Sequence, residues 1–287
     1  MTFRQRRILN ATIFHIIVGA LGFCMVYPIL WMIASSFESN SVMFTRNQIS
    51  LIPTVPTFEN YSNGMRGFGG AASRIPFSVF FRNSFIIVIS STIGQVFSSA
   101  LVAYGFARCR FRFKKMLFGC VIVTLMLPAQ ILAIPQYIMF QSFGWVNTWL
   151  PLIVPAFFGF PFFIFMIFQF IQNIPRDLDE AAYIDGCSKY TIFFRIILPM
   201  IVPALVTSGI FAFYWRWDDF FQPLLYIQST RLYPVSMALK MFADPGASSD
   251  WGALYAMSVL SLLPVMVLFF SFQKYLVEGI STTGLKG

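Results

Sequence analysis

Charged side chains are scarce in this sequence. Only 11% of its 287 residues are Asp, Glu, Lys or Arg, whereas a soluble domain carries about 25%. Hydrophobic residues make up 57% of the chain, and 36 residues are Phe. Because a water-facing surface cannot be built from so few charges, the composition excludes an ordinary soluble protein and indicates a surface that mostly faces lipid.

The residues and motifs of metal and nucleophilic chemistry are also sparse. His15 is the only histidine, and Cys24, Cys109, Cys120 and Cys187 lack the close spacing of a zinc or redox motif. Neither a His-Glu-x-x-His motif nor a Gly-x4-Gly-Lys-Ser/Thr nucleotide loop occurs. We therefore expect no catalytic residue, no metal site and no cofactor in this chain, and no ATP hydrolysis by the chain alone.

Six apolar stretches approach the roughly 20 residues that a membrane-spanning helix needs. They are residues 11–36, 84–107, 116–140, 149–171, 200–222 and 256–275. The first follows Arg4, Arg6 and Arg7, as a signal peptide would, but it exceeds the roughly 7–15 residues of a signal's apolar region. We predict that it is retained, and that the protein is an all-α polytopic membrane protein with about six transmembrane helices.

The apolar stretches also predict how the chain is organised. Residues 1–36 would be a cytoplasmic N-terminus and first span, 37–82 an extracytoplasmic loop, 83–275 the transmembrane core and 276–287 a cytoplasmic tail. With the N-terminus inside, thirteen Lys and Arg residues lie in inner segments and seven in outer ones. This bias predicts that both termini are cytoplasmic. The basic cluster at 108–115 contributes to it, so we predict no nucleic-acid partner.

Prolines interrupt several stretches, including Pro128 and Pro135 in the third. Such breaks persist in lipid only where neighbouring helices or cavity water satisfy the freed backbone groups, and they are common along transport pathways. Proline is also frequent in ordinary membrane helices. Each proline taken alone is therefore interpreted as a packing kink.

The inner loop 172–199 carries the most informative pattern. Asp177 is predicted to cap a short helix, with Glu180 reaching back as in a capping box. Gly186 lies where the residue that ends this helix would adopt a left-handed backbone conformation. Ser188 can cap a second helix that leads into the fifth span. The pattern predicts a helix, a glycine elbow and a second helix at the inner membrane surface.

This arrangement suits docking of a cytoplasmic protein. Leu178, Ala181 and Ala182 are predicted to share one helix face by their spacing, and the alanines allow close backbone approach. Glu180 and Asp185 offer carboxylates to a partner's Lys or Arg. The alternative is an amphipathic helix that only anchors the loop to the membrane.

Seven positions of the loop resemble the EAA signature of ABC importer permeases. They are Glu180, Ala181, Ala182, Gly186, Ile196, Leu198 and Pro199. The tail, at 273–280 and 283–287, is similar to that of the maltose-type carbohydrate branch, and the similarity extends over nearly the whole chain. The chain thus resembles a permease subunit of a binding-protein-dependent carbohydrate importer with the type I (MetI-like) fold.

The resemblance implies a set of partners. The helix beginning near Glu180 would couple the chain to two cytoplasmic ATPase subunits, which would bind ATP and Mg. A second permease, as a distinct homologue, and an extracytoplasmic sugar-binding protein would complete the importer in the lipid of a bacterial or archaeal cytoplasmic membrane. Closure of the ATPases would switch the permease pair between inward-open and outward-open states.

Polar residues within apolar helices are candidates for a translocation pathway. They are Gln95, Gln130, Gln136, Tyr137, Asp218 and Asp219. The first four could instead bridge helices. For the two aspartates we favour a position at the outer water boundary with Arg216 as partner. The family usually has Trp-Asn where this chain has Trp217-Asp218, so the resemblance assigns no substrate contact there.

Two other functions stay open on sequence grounds. A membrane-embedded lipid-processing enzyme would need clustered acid–base or nucleophilic groups, and only Asp218 and Asp219 come close. An assembly scaffold would bind ATPase subunits without transporting anything. We favour transport by alternating access, with no chemistry on the substrate.

Overall fold

The computed structural model describes residues 3–43, 51–67, 74–242 and 250–284. Those residues form α-helices joined by short 3₁₀ and π segments, with no β-strand among them. The α-helices are α1 Phe3–Ser36, α2 Glu59–Arg66, α3 Phe77–Arg108, α4 Lys114–Thr124, α5 Ala133–Ser142, α6 Leu150–Ile153, α7 Pro161–Gln172, α8 Asp177–Ile184, α9 Lys189–Ile192, α10 Leu198–Met200, α11 Val202–Trp217, α12 Phe221–Tyr226, α13 Val235–Phe242 and α14 Trp251–Gly284. The 3₁₀ segments are Ala129–Leu132, Val154–Phe158 and Thr230–Leu232, and the π segment is Phe193–Ile197. The predicted all-α fold is confirmed.

Within the described residues, four helical stretches are long and apolar enough to cross a membrane. They are Asn10–Ser36, Phe77–Arg108, Leu150–Gln172 and Trp251–Tyr275. A bent pair, Lys189–Met200 with Val202–Trp217, makes a fifth if its two helices count as one span. These five correspond to the first, second, fourth, sixth and fifth predicted spans, in that order.

The third predicted span, 116–140, is not a continuous helix. It is divided into α4 and α5, of 11 and 10 residues, each too short to cross a bilayer alone. Between them Pro128 has an extended backbone, with ψ at 127°. The residue before a proline is disfavoured in the helical conformation, so the chain leaves the helix here. Composition alone could not separate two short apolar helices from one long helix.

The second predicted span begins earlier than expected, at Phe77 rather than at residue 84. Asn83 and Ser84 therefore lie inside α3, where they hold the chain before α13. The Asn83 amide donates to the carbonyls of Arg231 and Tyr233 at 2.8 and 3.0 Å. The Ser84 hydroxyl accepts from the Val235 N–H at 2.8 Å. These bonds fix residues 231–235 against α3.

The described chain forms two compact units. One comprises Met1–Phe77 with Leu239–Leu263, and the other Ser78–Ala238 with Pro264–Gly287. The larger unit has a core in which alanines of α3 pack against large apolar side chains of α7 and of the segment after α8, and small residues let helices approach closely. Its members include Ala100, Ala103, Ala107, Phe163, Ile167, Ile171, Ile192, Phe193 and Ile197.

The smaller unit is tied together just after α1. The Glu38 carboxylate accepts from the N–H groups of Thr54 and Val55 at 2.7 and 2.9 Å and from the Thr54 hydroxyl at 3.0 Å. Buried Asn60, on α2, donates to the carbonyls of Ser36 and Glu38. We call the contacts of Glu38 with Thr54 and Val55 the Glu38 clasp. Helix α2 lies within the stretch 37–82, for which the sequence predicted a loop.

The Glu38 clasp is expected to open in acid. Burial raises the pKa of Glu38, whereas the hydrogen bonds from Thr54, Val55 and Ser39 together lower it by more. The net pKa therefore lies below its usual range. A lowered folded-state pKa means that the stabilisation is fully present above the unfolded value of about 4.3 and is lost as pH falls through the folded value. Amide hydrogen exchange at Thr54 and Val55 should therefore accelerate as the pH falls below the unfolded pKa of Glu38, after correction for intrinsic rates.

The matched control for this prediction is Glu38→Gln. Its amide keeps one acceptor oxygen and does not titrate, so the protection of Thr54 and Val55 should be weaker and independent of pH. An acid transition of equal size in this variant would show that another group governs the clasp.

Two further sequence predictions fall near the edges of the described chain. Asp244-Pro245-Gly246, whose sequence is typical of a turn, lies outside the described residues. The predicted tail continues α14 as far as Gly284, and the last three residues lie outside the described part.

Candidate functional site

The loop 172–199 folds as a helix, an elbow and a second helix, as its sequence predicts. Gly186 has φ +80°, a conformation that residues with a Cβ rarely adopt. Its N–H donates to the carbonyl of Tyr183 at 3.0 Å, and the N–H of Cys187 donates to the carbonyl of Ala182 at 2.9 Å. This pair of bonds is the Schellman arrangement that satisfies the last carbonyls of a helix. The predicted role of Gly186 in ending α8 is confirmed.

The start of α8 differs from the prediction. Asp177 is the first helical residue rather than the cap, because Arg176 before it already has helical angles and accepts the first backbone bonds from Asp179 and Glu180. No side-chain cap forms, so the predicted capping box between Asp177 and Glu180 is wrong. The first turn of α8 contains three acidic residues, Asp177, Asp179 and Glu180. Negative charge at this end stabilises a helix.

The buried face of α8 also differs from the prediction. Leu178 and Ala181 are exposed, whereas Asp179 and Ala182 are buried. Only Ala182, of the three residues expected to share one face, packs into the core. The exposed face therefore presents Ala181 with Leu178 and, most prominently, Ile184, of which 86% is exposed.

The predicted docking carboxylates both face outward. Glu180 and Asp185 are exposed, and neither side chain forms a hydrogen bond or ion pair with the described residues. Ala181 lies between them on the helix. The face is thus a small apolar surface with free carboxylates at its border, which is suited to a partner with an apolar groove and basic groups.

The second arm starts at Ser188, whose hydroxyl accepts from the Thr191 N–H at 3.2 Å, so the predicted cap is confirmed. The chain then passes through the π segment and α10 and turns by 76° into α11. Leu198 is half-buried against the core and Pro199 is exposed. Proline lacks the N–H that continues a helix, so Pro199 and Pro203 on either side of Ile201 account for the bend.

A cleft of about 290 Å³ separates α8 from the end of α3. Its lining is mostly charged: Tyr104, Arg108, Arg110, Arg176, Asp179, Glu180, Tyr183 and Lys189. Burial lowers the pKa of nearby Lys114, and the positive charge of Arg176 lowers it further. The end of the larger unit that carries α8 therefore concentrates positive charge around one buried carboxylate.

That buried carboxylate is Asp179, which sequence reasoning missed. Arg108 Nε lies 2.7 Å from Asp179 Oδ2, with 6% and 10% of the two side chains exposed. The two groups form an ion pair, but their geometry does not meet that of a hydrogen bond. Arg108 Nη2 donates a hydrogen bond to the carbonyl of Ile174 at 2.7 Å. The available sequence signal was an acidic residue in an inner loop and an arginine at a helix end, which does not identify partners 71 positions apart.

The two candidate aspartates after α11 have different surroundings. Asp219 pairs with Arg216 at 2.9 Å and accepts from the Gln222 N–H at 3.1 Å, while Arg216 also donates to the Gln222 side chain. Asp218 is exposed at the end of α11. The predicted pairing with Arg216 is confirmed for Asp219, and Asp218 has the freer carboxylate.

The remaining pathway candidates are spread over three helical segments. Gln95 and Gln136 are half-buried and Gln130 is exposed. Tyr137 stacks on Tyr226 with 6.3 Å between ring centres. Burial raises the pKa of Tyr226, and the Asp219 carboxylate raises it further. Tyr226, which the sequence did not single out, therefore contacts Tyr137 and lies within electrostatic range of Asp219.

Comparison of the sequence with known proteins identifies its family. Residues 95–282 match the family described as binding-protein-dependent transport system inner membrane component. The chain is 35% identical to the Probable ABC transporter permease protein YurM of Bacillus subtilis, over 92% of this chain and 84% of that protein. It is 30% identical to the arabinooligosaccharides transport system permease protein AraQ of Halalkalibacterium halodurans, over 93% of each.

A solved structure shares the fold. One chain of a bacterial ABC transporter involved in the import of the acidic polysaccharide alginate superposes with a TM-score of 0.83, at 19% identity, over 96% of this chain and 99% of that chain. The chain therefore belongs to the family of inner membrane components of binding-protein-dependent transport systems and is a multi-pass membrane protein. The resemblance drawn from the loop and tail motifs is confirmed, and so is the importer permease fold.

Proposed function

We propose that this chain is a permease subunit of an ABC importer that carries a carbohydrate across the cytoplasmic membrane by alternating access. The observation that carries the proposal is the form of the inner loop. Helix α8 exposes Glu180, Ala181 and Ile184, while Ala182 beneath them is buried in the core of the larger unit. A force applied to such a helix is transmitted to the packed helices around it.

Carbohydrate is the substrate class that the relatives favour. AraQ, at 30% identity, is named for arabinooligosaccharides, and the superposed structure belongs to an alginate importer. In this chain half-buried Tyr137, which stacks on buried Tyr226, offers an aromatic face, and the Arg216 and Asp219 ion pair offers polar groups of the kind that sugars bind. The six pathway candidates named from the sequence remain proposals for substrate contact.

The proposed complex has a second permease, two ATPase subunits that bind ATP and Mg, and an extracytoplasmic sugar-binding protein. Both termini of this chain would be cytoplasmic, and Glu180, Asp185 and Gly186 would serve docking of the ATPase. The chain itself would act on no covalent bond of the substrate, and so would not be an enzyme.

Cysteine labelling tests the side of the membrane and the docking together. In a background without native cysteines, Ile184→Cys reports the exposed face of α8. Gln228→Cys, also exposed, reports the segment after the fifth span, which lies outside if the N-terminus is cytoplasmic. An impermeant maleimide should label position 228 in intact cells and position 184 only after permeabilisation. Assembly with the ATPase subunits should protect position 184 and leave position 228 reactive.

Uptake supplies the functional half of the test. Proteoliposomes containing the full complex should accumulate a labelled oligosaccharide only with ATP inside and the binding protein outside. Labelling of position 184 from outside intact cells would refute the proposal, because no cytosolic ATPase could then reach α8.

A further inference from the structure

The inner end of α3 holds both arms of the coupling segment, which we define as residues 176–199. Tyr104 and Arg108 stand four residues apart on α3 and so lie on one helix face. Arg108 reaches the first arm through Asp179 and, at 2.7 Å, the carbonyl of Ile174 just before it. The Tyr104 hydroxyl donates to the carbonyl of Lys189, the first residue of α9 in the second arm, at 3.1 Å. One face of α3 thus spans the glycine elbow.

Burial makes this contact specific. The Arg108 and Asp179 side chains are 6% and 10% exposed, and the Asp179 carboxylate accepts no hydrogen bond from the described residues. Its charge is therefore balanced chiefly by Arg108. A buried charge without its partner is strongly unfavourable. The two groups therefore stay together, and α8 and the end of α3 move as one body, unless the site opens to water.

Packing reinforces the same connection. The Tyr104 ring contacts the Phe193 ring at 5.0 Å between centres, and Phe193 belongs to the π segment of the second arm. Ala182 on the first arm and Ala103 and Ala107 on α3 are members of the same buried cluster. Polar and apolar contacts from α3 therefore reach both arms.

Arg108 differs from its basic neighbours in these respects. Arg110, Arg112 and Lys115 in the same cluster are exposed, as expected for residues that only set membrane orientation. Arg108 alone of these four is placed against the coupling segment in a buried ion pair. Orientation by positive charge does not require such a contact.

We propose that Tyr104, Arg108 and Asp179 form a clamp that fixes the coupling segment to α3, so that movement imposed on α8 by the ATPase is delivered to α3 as well as to α11. These are positioning residues, because they touch neither ATP nor substrate. The proposal rests on the proposed function and adds a second mechanical route into the membrane helices.

The main test compares Asp179→Asn with Arg110→Gln in the reconstituted complex. Both variants remove one charge from the cleft lining, but only the first breaks the clamp. Asp179→Asn should lower uptake at least tenfold, because it leaves Arg108 buried without a counter-charge. ATPase subunits should still co-purify and hydrolyse ATP, so the number of sugars imported per ATP should fall. Arg110→Gln should leave that ratio unchanged.

Rescue separates positioning from general damage to the fold. The exchange of charges, Arg108→Asp with Asp179→Arg, should restore part of the transport ratio that either single change loses. Tyr104→Phe keeps the ring on Phe193 and removes only the bond to Lys189, so it should lower the ratio by roughly threefold while the chain folds normally. This variant keeps the test decisive if the charge variants fail to insert.

The outcomes distinguish this proposal from the proposed function. If the wild-type complex imports no sugar, the proposed function fails. If it imports sugar while Asp179→Asn and Tyr104→Phe both keep the wild-type ratio of sugar to ATP, the clamp fails and the importer assignment stands. A loss of uptake that only follows a loss of bound ATPase would also overturn the clamp.

Discussion

Reversal of the charge on Glu180, by Glu180→Lys, is expected to reduce ATP-driven uptake at least tenfold while the chain still inserts into the membrane. Glu180 is exposed on α8 and forms no ion pair within the described chain, so its removal costs the fold little. A lysine there would present a like charge to any basic group that a docked ATPase places opposite. Like charges brought together at an interface cost several kcal/mol.

The control for this prediction is Asp177→Lys. Asp177 lies in the same first turn of α8 and is exposed, but it does not line the cleft. Both reversals place a cation at a helix N-terminus, which costs about 0.3–1 kcal/mol in either variant. Only Glu180→Lys should lose uptake and co-purification of the ATPase. Equal losses in the two variants would assign the effect to the helix rather than to docking.

Replacement of Gly186 by valine is expected to cause the second large loss of uptake. The backbone at Gly186 has φ +80°, while a Cβ placed there would meet no atom within 4 Å. The cost is therefore one of backbone conformation, about 1–2 kcal/mol for an ordinary residue and more for a β-branched one. The elbow would be expected to relax and turn the exposed face of α8 away from its partner.

Gly186→Asn provides the matched comparison. Asparagine tolerates the left-handed conformation better than other residues with a side chain, and there is room for it. Uptake by the asparagine variant should stay within about threefold of the wild type, whereas the valine variant should fall well below it. Equal activity of the two variants would show that the shape of the elbow does not matter for transport.

The sequence was informative where a structural feature depends on neighbouring residues. The apolar runs predicted the membrane class because lipid imposes length and composition on a helix. The elbow at Gly186 and the cap at Ser188 were predictable because each involves residues within a turn of one another. The same holds for the pairing of Asp219 with Arg216, three residues away.

Features that depend on distant residues were missed. The eight residues of α8 are too few for periodicity to predict the buried face. Asp179 is buried because it pairs with Arg108, which belongs to another helix. The division of the third stretch at Pro128 was likewise hidden, because proline in a membrane helix marks a kink as often as an end. Tyr226 is placed beside Tyr137 by the packing of separate segments.

The bend at Ile201 has a consequence for how a helix can be moved. Because the arm ending at Met200 meets α11 at 76°, a displacement along the arm acts almost crosswise on the first residues of α11. A movement imposed by the ATPase subunits would thus push the first residues of α11 sideways and tilt the helix about its far end, where Arg216 and Asp219 lie. A tilt of that kind widens one mouth of a passage as it narrows the other, with little sliding of the helix through its surroundings.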